Sequence, residues 1–408
     1  MRILIVTPAP ATPLKPRVFG FALALAQRHD VHLAFVEELA GARVPTAIHD
    51  GAHAALRQAG VTLHALRWGP AAAAAALRSL VLTRLPLRAA LFDQGGLRRQ
   101  VRRLHAAVRP DVVHVDRARA LSLVRGIDTP ALVDLTDPVG WYLEERARGA
   151  AGVARFLITR ESRRQWRYEA EIAASRRALC VASEFGASIL RARVPGADLT
   201  VVPCAVWTGD GASAAASLPG SSPRVAFWGN LGYPPNVDAI ESFVRDHWPA
   251  VRHALPGATL HVAGSTPHAR VRRLARAGEV FIHPDVPHMP AFLRGCDLAV
   301  APLGLCAGFS NKIAEAAVHG LPVVASDAAC AGLAPALAAH VPRAAAPAEW
   351  ADALARLWGA PGARRAAADR LRAAAADALS PRAVAAMLAG TYERLLAGTH
   401  PTPAELRN

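Results

Sequence analysis

Residues 298–327 read LAVAPLGLCAGFSNKIAEAAVHGLPVVASD, and this stretch indicates the fold class. It contains two short apolar runs, at 298–302 and 322–325, and such runs are typical of strands buried on both faces of a parallel sheet. Between them lie a loop with two glycines and a segment of helical period at 311–319. The stretch therefore predicts a strand, a loop, a helix and a second strand, which is the repeating unit of α/β proteins.

The same alternation runs along the whole chain. Apolar runs predict strands near 2–6, 31–37, 61–66, 111–116, 131–135, 178–183, 199–203, 224–228, 258–263, 279–283, 298–302 and 322–325. Helical periodicity predicts helices that include 19–28, 236–254 and 311–319, and an alanine-rich tail predicts helices at 347–358, 362–378 and 381–397. Repeated strand–helix units of this kind predict doubly wound parallel sheets.

The length of 408 residues favours two domains over one. A loose run of Gly, Asp, Ser, Ala and Pro precedes a fresh strand at 224, which places the boundary there. We expect a Rossmann-like domain at 1–206, a linker at 207–223, a second Rossmann-like domain at 224–380 and a final helix within 381–408 that crosses back to the first domain. Because ligands of open α/β sheets bind beyond the carboxyl ends of the strands, the two domains are expected to face a central cleft.

The chain is strongly basic, with 47 Lys and Arg against 32 Asp and Glu and a formal net charge of +15. Two compatible interpretations exist, since a GC-rich genome encodes arginine readily and a positive field attracts phosphates or an anionic membrane. No DNA-binding or RNA-binding pattern occurs, so no nucleic acid partner is expected. Five cysteines without a CxxC pair favour buried thiols in a reducing cytosol and no metal site.

The location of the protein follows from its apolar segments. No uncharged stretch of 18 residues occurs, so no membrane span is predicted and a cytoplasmic protein is expected. The partly amphipathic stretch 71–92 leaves two readings open. One is a packed pair of helices interrupted at Pro86, and the other is peripheral contact with the inner face of the membrane.

The loop and helix start at 304–315 carry the chemistry that the sequence shows best. A glycine-containing loop that leads into a helix presents free backbone N–H groups and a positive dipole end, which suit a diphosphate. Ser310 and Asn311 are residues that favour the helix N-cap, and Lys312 adds a full positive charge. One turn further on, the carboxylate of Glu315 is placed to accept hydrogen bonds from a ribose. The alternative is an ordinary capped helix with a solvated Lys312–Glu315 pair.

Longer motifs give the chain a family resemblance. WGNLGYPPNVDAI at 228–240, PGATLHVAG at 256–264, HPDVPHMPAFLRGCDLAVAPL at 283–303 and GFSNKIAEAAVHGLPVVAS at 308–326 resemble glycosyltransferase family 4. VTPAP, QRHDVHLAF and DVVHVD in the first half resemble it more loosely. Among its members the chain is most similar to the bacterial sugar transferases of exopolysaccharide synthesis and the PEP-CTERM system. The resemblance implies the α/β fold called GT-B, a nucleotide-diphosphate sugar as donor and a saccharide or lipid-linked acceptor.

The resemblance also implies roles for single residues. Glu315 corresponds to the second glutamate of the family's E-x7-E motif and would bind the donor ribose, and Lys312 is the basic residue of an NK-x-x-E pattern. Both are predicted catalytic residues. The loop at 283–286 would contact the base. The other predicted donor-binding residues are Gly229, Asn230, Gly308, Phe309, Ser310 and Asn311.

The chain departs from the family in three places, one of which is the common NGVD turn after the last strand of the first domain, which reads CAVW at 204–207. Ala307 occupies the position of the first glutamate, which leaves the donor sugar undefined. The loop after the first strand has prolines where relatives have glycines, although Lys15 and Arg17, which are assigned to the acceptor side, remain as candidate phosphate contacts. Asp134 and Asp137 follow a predicted strand, and either is placed to orient an acceptor hydroxyl or the donor sugar. Asp137, the third predicted catalytic residue, is equally compatible with a helix cap beside Pro138.

The resemblance implies a glycosyltransferase of the hexosyltransferase type that acts in polysaccharide or glycolipid synthesis. No DxD motif follows a strand, so neither a metal nor a cofactor beyond the nucleotide sugar is expected. The resemblance implies that the anomeric configuration is retained. Two alternatives stay open: a nucleotide-sugar epimerase, and a degenerate GT-B protein that binds a nucleotide sugar or a partner without turnover. A nicotinamide enzyme is disfavoured because no GxGxxG follows the first strand.

Overall fold

The structure is a computed structural model that describes residues 1–37, 46–69, 78, 83–175, 178–206, 214–277 and 279–398. The chain divides into two compact units. The first unit comprises Met1–Ala205 and Pro381–Asn408, and the second comprises Val206–Ser380. Half of the stretch 71–92, namely 71–77 and 79–82, and the first part of the predicted linker, 207–213, lie outside the described residues.

The first unit contains a parallel sheet of seven strands in the order β3-β2-β1-β4-β5-β6-β7. The strands are β1 Arg2–Thr7, β2 Asp30–Val36, β3 Thr62–Leu66, β4 Val112–Asp116, β5 Ala131–Thr136, β6 Ala178–Val181 and β7 Leu199–Val201. Its described helices are α1 Pro16–Ala26, α2 Thr46–Gln58, α3 Leu87–Phe92, α4 Gly95–Val108, α5 Val139–Arg148, α6 Gly152–Ala173, α7 Glu184–Arg193 and a 3₁₀ helix at Ala118–Val124.

The second unit contains a parallel sheet of five strands in the order β10-β9-β8-β11-β12. The strands are β8 Arg224–Trp228, β9 Thr259–Gly264, β10 Val280–Pro284, β11 Leu298–Ala301 and β12 Val323–Ala325. Its helices are α8 Pro234–Ser242, α9 Trp248–Ala254, α10 Ala269–Arg273, α11 Met289–Arg294, α12 Asn311–His319, α13 Asp327–Cys330, α14 Pro335–Ala338, α15 Pro347–Gly359 and α16 Pro361–Leu379. Short π and 3₁₀ turns occur at Phe243–His247 and Leu274–Ala277.

The predicted fold class is confirmed strand by strand. Each apolar run assigned to a strand forms one, and the order 3-2-1-4-5 that opens the first sheet recurs in the second as 10-9-8-11-12. The apolar faces of both sheets are buried in separate clusters, one in each unit. Buried parallel strands with helical crossovers are the reason that these runs lack the alternation of a half-exposed strand.

One predicted helix is interrupted. The periodicity at 236–254 predicts a single helix, whereas the structure has α8, a π turn at Phe243–His247 and α9. Pro249 lies in the first turn of α9 and has no N–H to donate to the carbonyl of Arg245. The wider π turn accommodates the missing hydrogen bond.

The C-terminal helix α17, Pro381–Leu396, belongs to the first unit. It packs against α1 and β5, and the hydroxyl of its fully buried Tyr392 lies 2.7 Å from Nδ1 of His114 on β4. The chain therefore returns to its first sheet after completing the second unit. No helix in the described parts of the chain has the length and apolar character needed to cross a bilayer.

Candidate functional site

The N-terminus of α12 is formed by the loop that follows β11. Ser310 is the N-cap residue, with an extended backbone, but its side chain makes no capping hydrogen bond. Ser310 Oγ and Asn311 Oδ1 are buried, and neither has a hydrogen-bond partner among the described residues. The first N–H groups of a helix also lack partners within that helix. This helix start therefore combines free donors, a positive dipole end and two buried polar atoms, which is the composition of an anion site.

Lys312 brings a positive charge to this helix start from the interior. Its side chain is 9% exposed, and Nζ donates a hydrogen bond of 2.7 Å to Asn236 Oδ1. Nζ also lies 5.0 Å from the centre of the Phe227 ring, a distance that permits a cation–π interaction. Burial lowers the pKa of Lys312 to about 8, although the Glu315 carboxylate acts in the opposite direction. An approaching anion would favour the charged form.

Glu315 lies one turn further along α12 and is held by a tryptophan. Trp228 Nε1, at the end of β8, donates a hydrogen bond of 2.5 Å to Glu315 Oε2. Burial raises the pKa of Glu315 to about 7, while the bond from Trp228 and the charge of Lys312 lower it. The second carboxylate oxygen, Oε1, has no hydrogen-bond partner among the described residues and can accept hydrogen bonds from a ligand. The alternative of a solvated Lys312–Glu315 pair is excluded, because Lys312 is buried and each side chain bonds to another residue.

Gly229 lets the end of β8 approach these side chains. Its φ of +140° lies in a region that L-residues with side chains rarely adopt. A Cβ atom there would lie 3.0 Å from Asn236 Nδ2 and 3.2 Å from Lys312 Nζ. Any larger residue would therefore push against the ammonium group that the site positions.

Asn230 continues the same turn and fixes its shape. Its carbonyl oxygen accepts a hydrogen bond of 2.9 Å from Asn236 Nδ2, and its own Oδ1 accepts one of 2.9 Å from the N–H of Gly232. Asn236 thereby links the turn after β8 to Lys312 on α12. The structure thus brings together four of the predicted residues, Gly229, Asn230, Lys312 and Glu315.

Gly308 and Phe309 precede the helix in the same loop. Gly308 is buried, and a Cβ atom on Gly332 would lie only 1.9 Å from the Gly308 carbonyl oxygen. Because Gly332 has no side chain, the turn after α13 can pack directly against the backbone of this loop. Phe309 packs against the core of the second unit, and Ala307 lies partly buried beside them. This packing holds the backbone that leads into α12.

The loop predicted to contact a base begins at the end of β10. His283 Nε2 lies 3.0 Å from His261 Nδ1, and the two rings stack with centroids 5.2 Å apart. Burial lowers the pKa of both rings, that of His261 to about 4. Asp285 adopts a φ of +50° and accepts a hydrogen bond of 3.3 Å from Thr266 N. The His283 ring is thus engaged within the sheet, and the loop beyond it presents its backbone.

Arg17 and Asp134 form a buried ion pair in the first unit, which corrects the expected role of Arg17. Arg17 Nε and Nη2 donate to the two carboxylate oxygens of Asp134 at 2.6 and 3.1 Å, and Nη1 donates to the Val202 carbonyl at 2.6 Å. The side chains are 4% and 0% exposed. All guanidinium nitrogens thus have protein partners, so Arg17 does not face solvent as a phosphate contact. Lys15, the N-cap residue of α1, is only partly buried.

Asp137 differs from Asp134 in its surroundings. Its Oδ1 is buried without a partner among the described residues, and burial raises its pKa. It does not cap α5, because Glu169 accepts the Gly140 N–H at 3.2 Å in that position. Burial raises the pKa of Glu169 itself to about 7. Of the two sequence interpretations of Asp137, the structure contradicts the helix cap.

Asn236 and Trp228 are absent from the predicted site residues, yet they position Lys312 and Glu315. Both side chains carry hydrogen-bonding groups and are almost fully buried, at 7% exposure for Asn236 and 2% for Trp228. Their signal in the sequence is that both lie in the motif at 228–240, where Trp228 directly precedes Gly229 and Asn236 follows it seven residues later. Among the described residues, no group of three His, Cys, Asp or Glu side chains is arranged to hold a metal ion.

Comparison with known proteins gives the site a context. Residues 222–359 match the family model described as glycosyl transferases group 1, a region that contains Trp228, Asn236, Lys312 and Glu315. No curated protein sequence matches the chain.

Solved structures match almost the whole chain. Sucrose-phosphate synthase from Thermosynechococcus elongatus is 16% identical, with a TM-score of 0.68 over 98% of this chain and 100% of that one. Anabaena HepE in complex with UDP and glucose is 14% identical, with a TM-score of 0.63 over 96% and 99% of the two chains. WaaG, a glycosyltransferase involved in lipopolysaccharide biosynthesis, is 15% identical, with a TM-score of 0.59 over 95% and 100%. The fold is GT-B. At such low identity, the likeness concerns the fold alone.

Proposed function

We propose that the protein is a glycosyltransferase that uses a nucleotide-diphosphate sugar as donor. The observation that carries this proposal is the start of α12, where buried Lys312 stands beside helix N–H groups and one turn before Glu315. The match of residues 222–359 to glycosyl transferases group 1 supports it, as do neighbours whose structures hold UDP and a sugar. The resemblance to family 4 and its exopolysaccharide branch is part of this proposal.

Different residues at this helix start would bind different parts of the nucleotide-sugar donor. The diphosphate would bind the N–H groups at Gly308–Lys312, where Ser310 Oγ offers a further donor. Lys312 Nζ donates one hydrogen bond to Asn236, so two of its three N–H groups remain as donors for phosphate oxygens. The ribose hydroxyls would donate to Oε1 of Glu315, because Trp228 already occupies Oε2. The backbone after His283 would contact the base.

The same groups account for catalysis. Cleavage of a sugar–diphosphate bond places negative charge on the leaving diphosphate and positive charge on the anomeric carbon. Fixed dipoles and a buried cation stabilise that leaving charge without reorganisation, which lowers the barrier. We propose transfer with retention of configuration and without a metal or cofactor, in which the donor phosphate assists deprotonation of the acceptor hydroxyl.

The acceptor contacts are proposed to include Asp137 and Lys15. Asp137 has a buried oxygen without a partner among the described residues, so an acceptor hydroxyl would satisfy it. Asp134 is occupied by Arg17 and is proposed to support this region rather than bind the acceptor. The acceptor class is a saccharide or a lipid-linked saccharide, used in the cytoplasm for polysaccharide or glycolipid synthesis.

The donor site is tested by titrating a panel of nucleotide sugars and measuring affinity by calorimetry. Loss of charge-assisted hydrogen bonds, each worth about 1.5–3 kcal/mol, predicts affinity about 10- to 100-fold lower in Lys312→Ala and Glu315→Ala. Arg365→Ala, at an exposed position on α16, is the matched control and should bind normally. An unchanged affinity in Lys312→Ala or Glu315→Ala would refute the assignment.

A second candidate function is binding of a nucleotide sugar without turnover. Ala307, in place of the glutamate that relatives use for the donor sugar, is the observation that favours it. Product analysis with saccharide and lipid-linked acceptors separates the two candidates. Transfer of the sugar supports the transferase, whereas tight binding with neither transfer nor epimerisation supports the binding protein.

A further inference from the structure

Helix α6 carries an exposed apolar cluster at its N-terminal end. Val153, Phe156 and Leu157 are 74%, 66% and 53% exposed, although large apolar side chains are usually buried when a helix packs on a domain. Their neighbour Leu87, the first residue of α3, is 52% exposed. The side chain of Glu161 on α6 accepts the Leu87 N–H at 2.6 Å, which places Leu87 beside α6. Val153, Phe156 and Leu157 form the apolar patch of α6, and Leu87 lies beside the same helix.

Arginines continue the same face of α6. Phe156, Arg160, Arg163 and Arg167 lie within about 60° of one another on the helix, at spacings of three, four and seven residues. The opposite face is buried and includes Ser162, Gln165 and Ile172. The outer face of α6 is therefore both apolar and basic, while the inner face packs on the domain.

The arginines of this face have no ion-pair partner among the described residues. A groove of about 740 Å³ along the helix is lined by Arg84 and five arginines of α6, together with Gly152, Phe156 and Thr159, and by no acidic side chain. Within the described parts of the chain, none of the five arginines of α6 forms an ion pair. The one acidic residue of α6 before Arg167 is Glu161, whose carboxylate accepts a hydrogen bond from the backbone N–H of Leu87 at the N-terminus of α3.

We propose that this face of α6 docks the protein on an anionic lipid surface. A helix with arginines and aromatic or aliphatic residues on its outer face is suited to lie in the membrane interface, where the apolar groups enter the acyl boundary and the arginines meet lipid phosphates. A polyanion in solution would use the arginines but would leave the apolar patch in water. The combination of both therefore selects a lipid surface over a nucleic acid or an acidic protein.

This surface is formed by the first unit and includes none of the proposed donor-binding residues. Docking would bring the protein to acceptors that are anchored in a membrane, a consequence that rests on the proposed function. The docking itself does not depend on it. Failure of the vesicle experiment would leave the donor titration intact, and the reverse is equally true.

The proposal is tested with the full chain and vesicles of phosphatidylcholine, with or without phosphatidylglycerol, by co-flotation. Binding should require phosphatidylglycerol and weaken as salt rises from about 0.05 to about 0.5 M. Each arginine near an anionic surface contributes about 1 kcal/mol, so Arg160→Gln/Arg163→Gln/Arg167→Gln should bind roughly 100-fold more weakly. The control Arg356→Gln/Arg365→Gln/Arg370→Gln removes the same charge from exposed positions of the second unit and should bind normally.

The apolar patch is tested separately with Phe156→Ala/Leu157→Ala, which preserves helix propensity. Its vesicle affinity should fall at least about tenfold, since the exposed side chains of Phe156 and Leu157 would no longer enter the acyl boundary. Met387→Ala/Leu396→Ala changes exposed apolar residues of α17 and is the control. Absence of flotation with phosphatidylglycerol, or an equal loss in either control, overturns the proposal. Binding to single-stranded RNA that is as tight and that ignores the apolar variant would also overturn it.

Discussion

Each unit of the protein contains a buried pair of a cation and a carboxylate, yet the two pairs are built in opposite ways. In the first unit Arg17 and Asp134 bond directly, at 2.6 and 3.1 Å. In the second unit Lys312 bonds to Asn236 and Glu315 bonds to Trp228, so the two charges are held apart by separate partners. The first pair is complete within the protein, whereas the second leaves donor and acceptor capacity for a ligand.

The pKa values of the two pairs diverge accordingly. The Asp134 carboxylate, with the other groups around Arg17, holds the arginine pKa well above its usual range despite burial, and Arg17 lowers the pKa of Asp134. Burial moves Lys312 and Glu315 in the opposite direction, to pKa values of about 8 and about 7. The first pair therefore stays charged on both side chains, while both side chains of the second pair titrate close to neutral pH. This difference identifies a structural pair and a candidate ligand site.

The largest effect is expected from breaking the complete pair. Arg17→Met would leave the Asp134 carboxylate buried without its counter-charge, and such losses cost about 3–5 kcal/mol of folding free energy. Urea denaturation at neutral pH measures this cost. The matched variant Lys312→Met should cost less than about 1 kcal/mol, because burial already disfavours its charge.

A double variant sharpens this result. Arg17→Met/Asp134→Asn removes both charges while the amide oxygen of the asparagine still accepts the Thr136 N–H that Asp134 binds at 2.8 Å. Part of the lost stability should therefore return, since no isolated charge remains. Equal losses in Arg17→Met and Lys312→Met would contradict the distinction between the two pairs.

The next largest effect is expected at Gly229, whose lack of a side chain leaves room for the Lys312 ammonium group. Gly229→Ala places a Cβ atom 3.2 Å from Lys312 Nζ and forces a side chain into a φ of +140°. Backbone strain of this kind costs about 1–3 kcal/mol, and displacement of the ammonium group should weaken nucleotide-sugar binding at least about tenfold. Thermal unfolding and calorimetry measure the two effects.

The control is Gly362→Ala, in the first turn of α16, where an added Cβ would contact nothing within 4 Å. That variant should keep its affinity and lose no stability, because alanine favours a helix over glycine. If Gly229→Ala behaved in the same way, the close approach of the β8 end to Lys312 would not matter for the site.

The sequence predicted the elements of the fold because buried strands leave an apolar signature that needs no knowledge of their neighbours. It also predicted that Lys312 and Glu315 lie one turn apart on a single helix, as they do, while their role in binding a ligand stays a prediction. The interruption at Pro249 was missed because helical periodicity continues through it. Local pattern is thus sufficient for strands and for groups within one helix.

The partners of those groups were not predictable from local pattern. Trp228 and Glu315 are 87 residues apart, Asn236 and Lys312 are 76 apart, and Arg17 and Asp134 are 117 apart. Only the strand order brings such residues together. For that reason Arg17 was expected at a phosphate, although the sheet places it on Asp134. The exposed face of α6 was also missed, because its apolar residues are those of an ordinary helix until the packing shows them to be uncovered.

A smaller effect is expected from the tryptophan that holds Glu315. Trp228→Phe removes the hydrogen bond to Oε2, which favours the ionised carboxylate, so the pKa of Glu315 should rise above about 7. A bond worth about 1–1.5 kcal/mol corresponds to roughly one pH unit. Nucleotide-sugar affinity should then fall several-fold at neutral pH and recover partly towards about pH 8.

Recovery with pH separates this prediction from simple loss of packing. Trp358→Phe, at a partly exposed tryptophan of α15, is the control and should leave the pH dependence unchanged. A loss of affinity in Trp228→Phe that is the same at every pH would show that the indole acts only by filling space.

The smallest effect is the pH profile of the unmodified protein. Glu315 loses its charge as the pH falls below about 7, and Lys312 loses its charge as the pH rises above about 8. If binding needs both charges, affinity for a nucleotide sugar is highest between these values and falls about sevenfold by about pH 6 and about pH 9. The pair of the first unit does not contribute, because its pKa values lie far from this range in the charged direction.

Variants assign the two limbs of that profile. Glu169 of the first unit also has a pKa raised to about 7, so the acidic limb alone does not identify Glu315. In Glu315→Gln the acidic limb should disappear while the alkaline limb remains, and Lys312→Met should show the reverse, because each variant removes one titrating group. Calorimetry with a nucleotide sugar avoids the additional phosphate ionisation of a free nucleotide diphosphate. If the acidic limb persisted in Glu315→Gln, the titrating group would be Glu169. The contrast between the two pairs would then fail, because it requires that Glu315 titrates near pH 7.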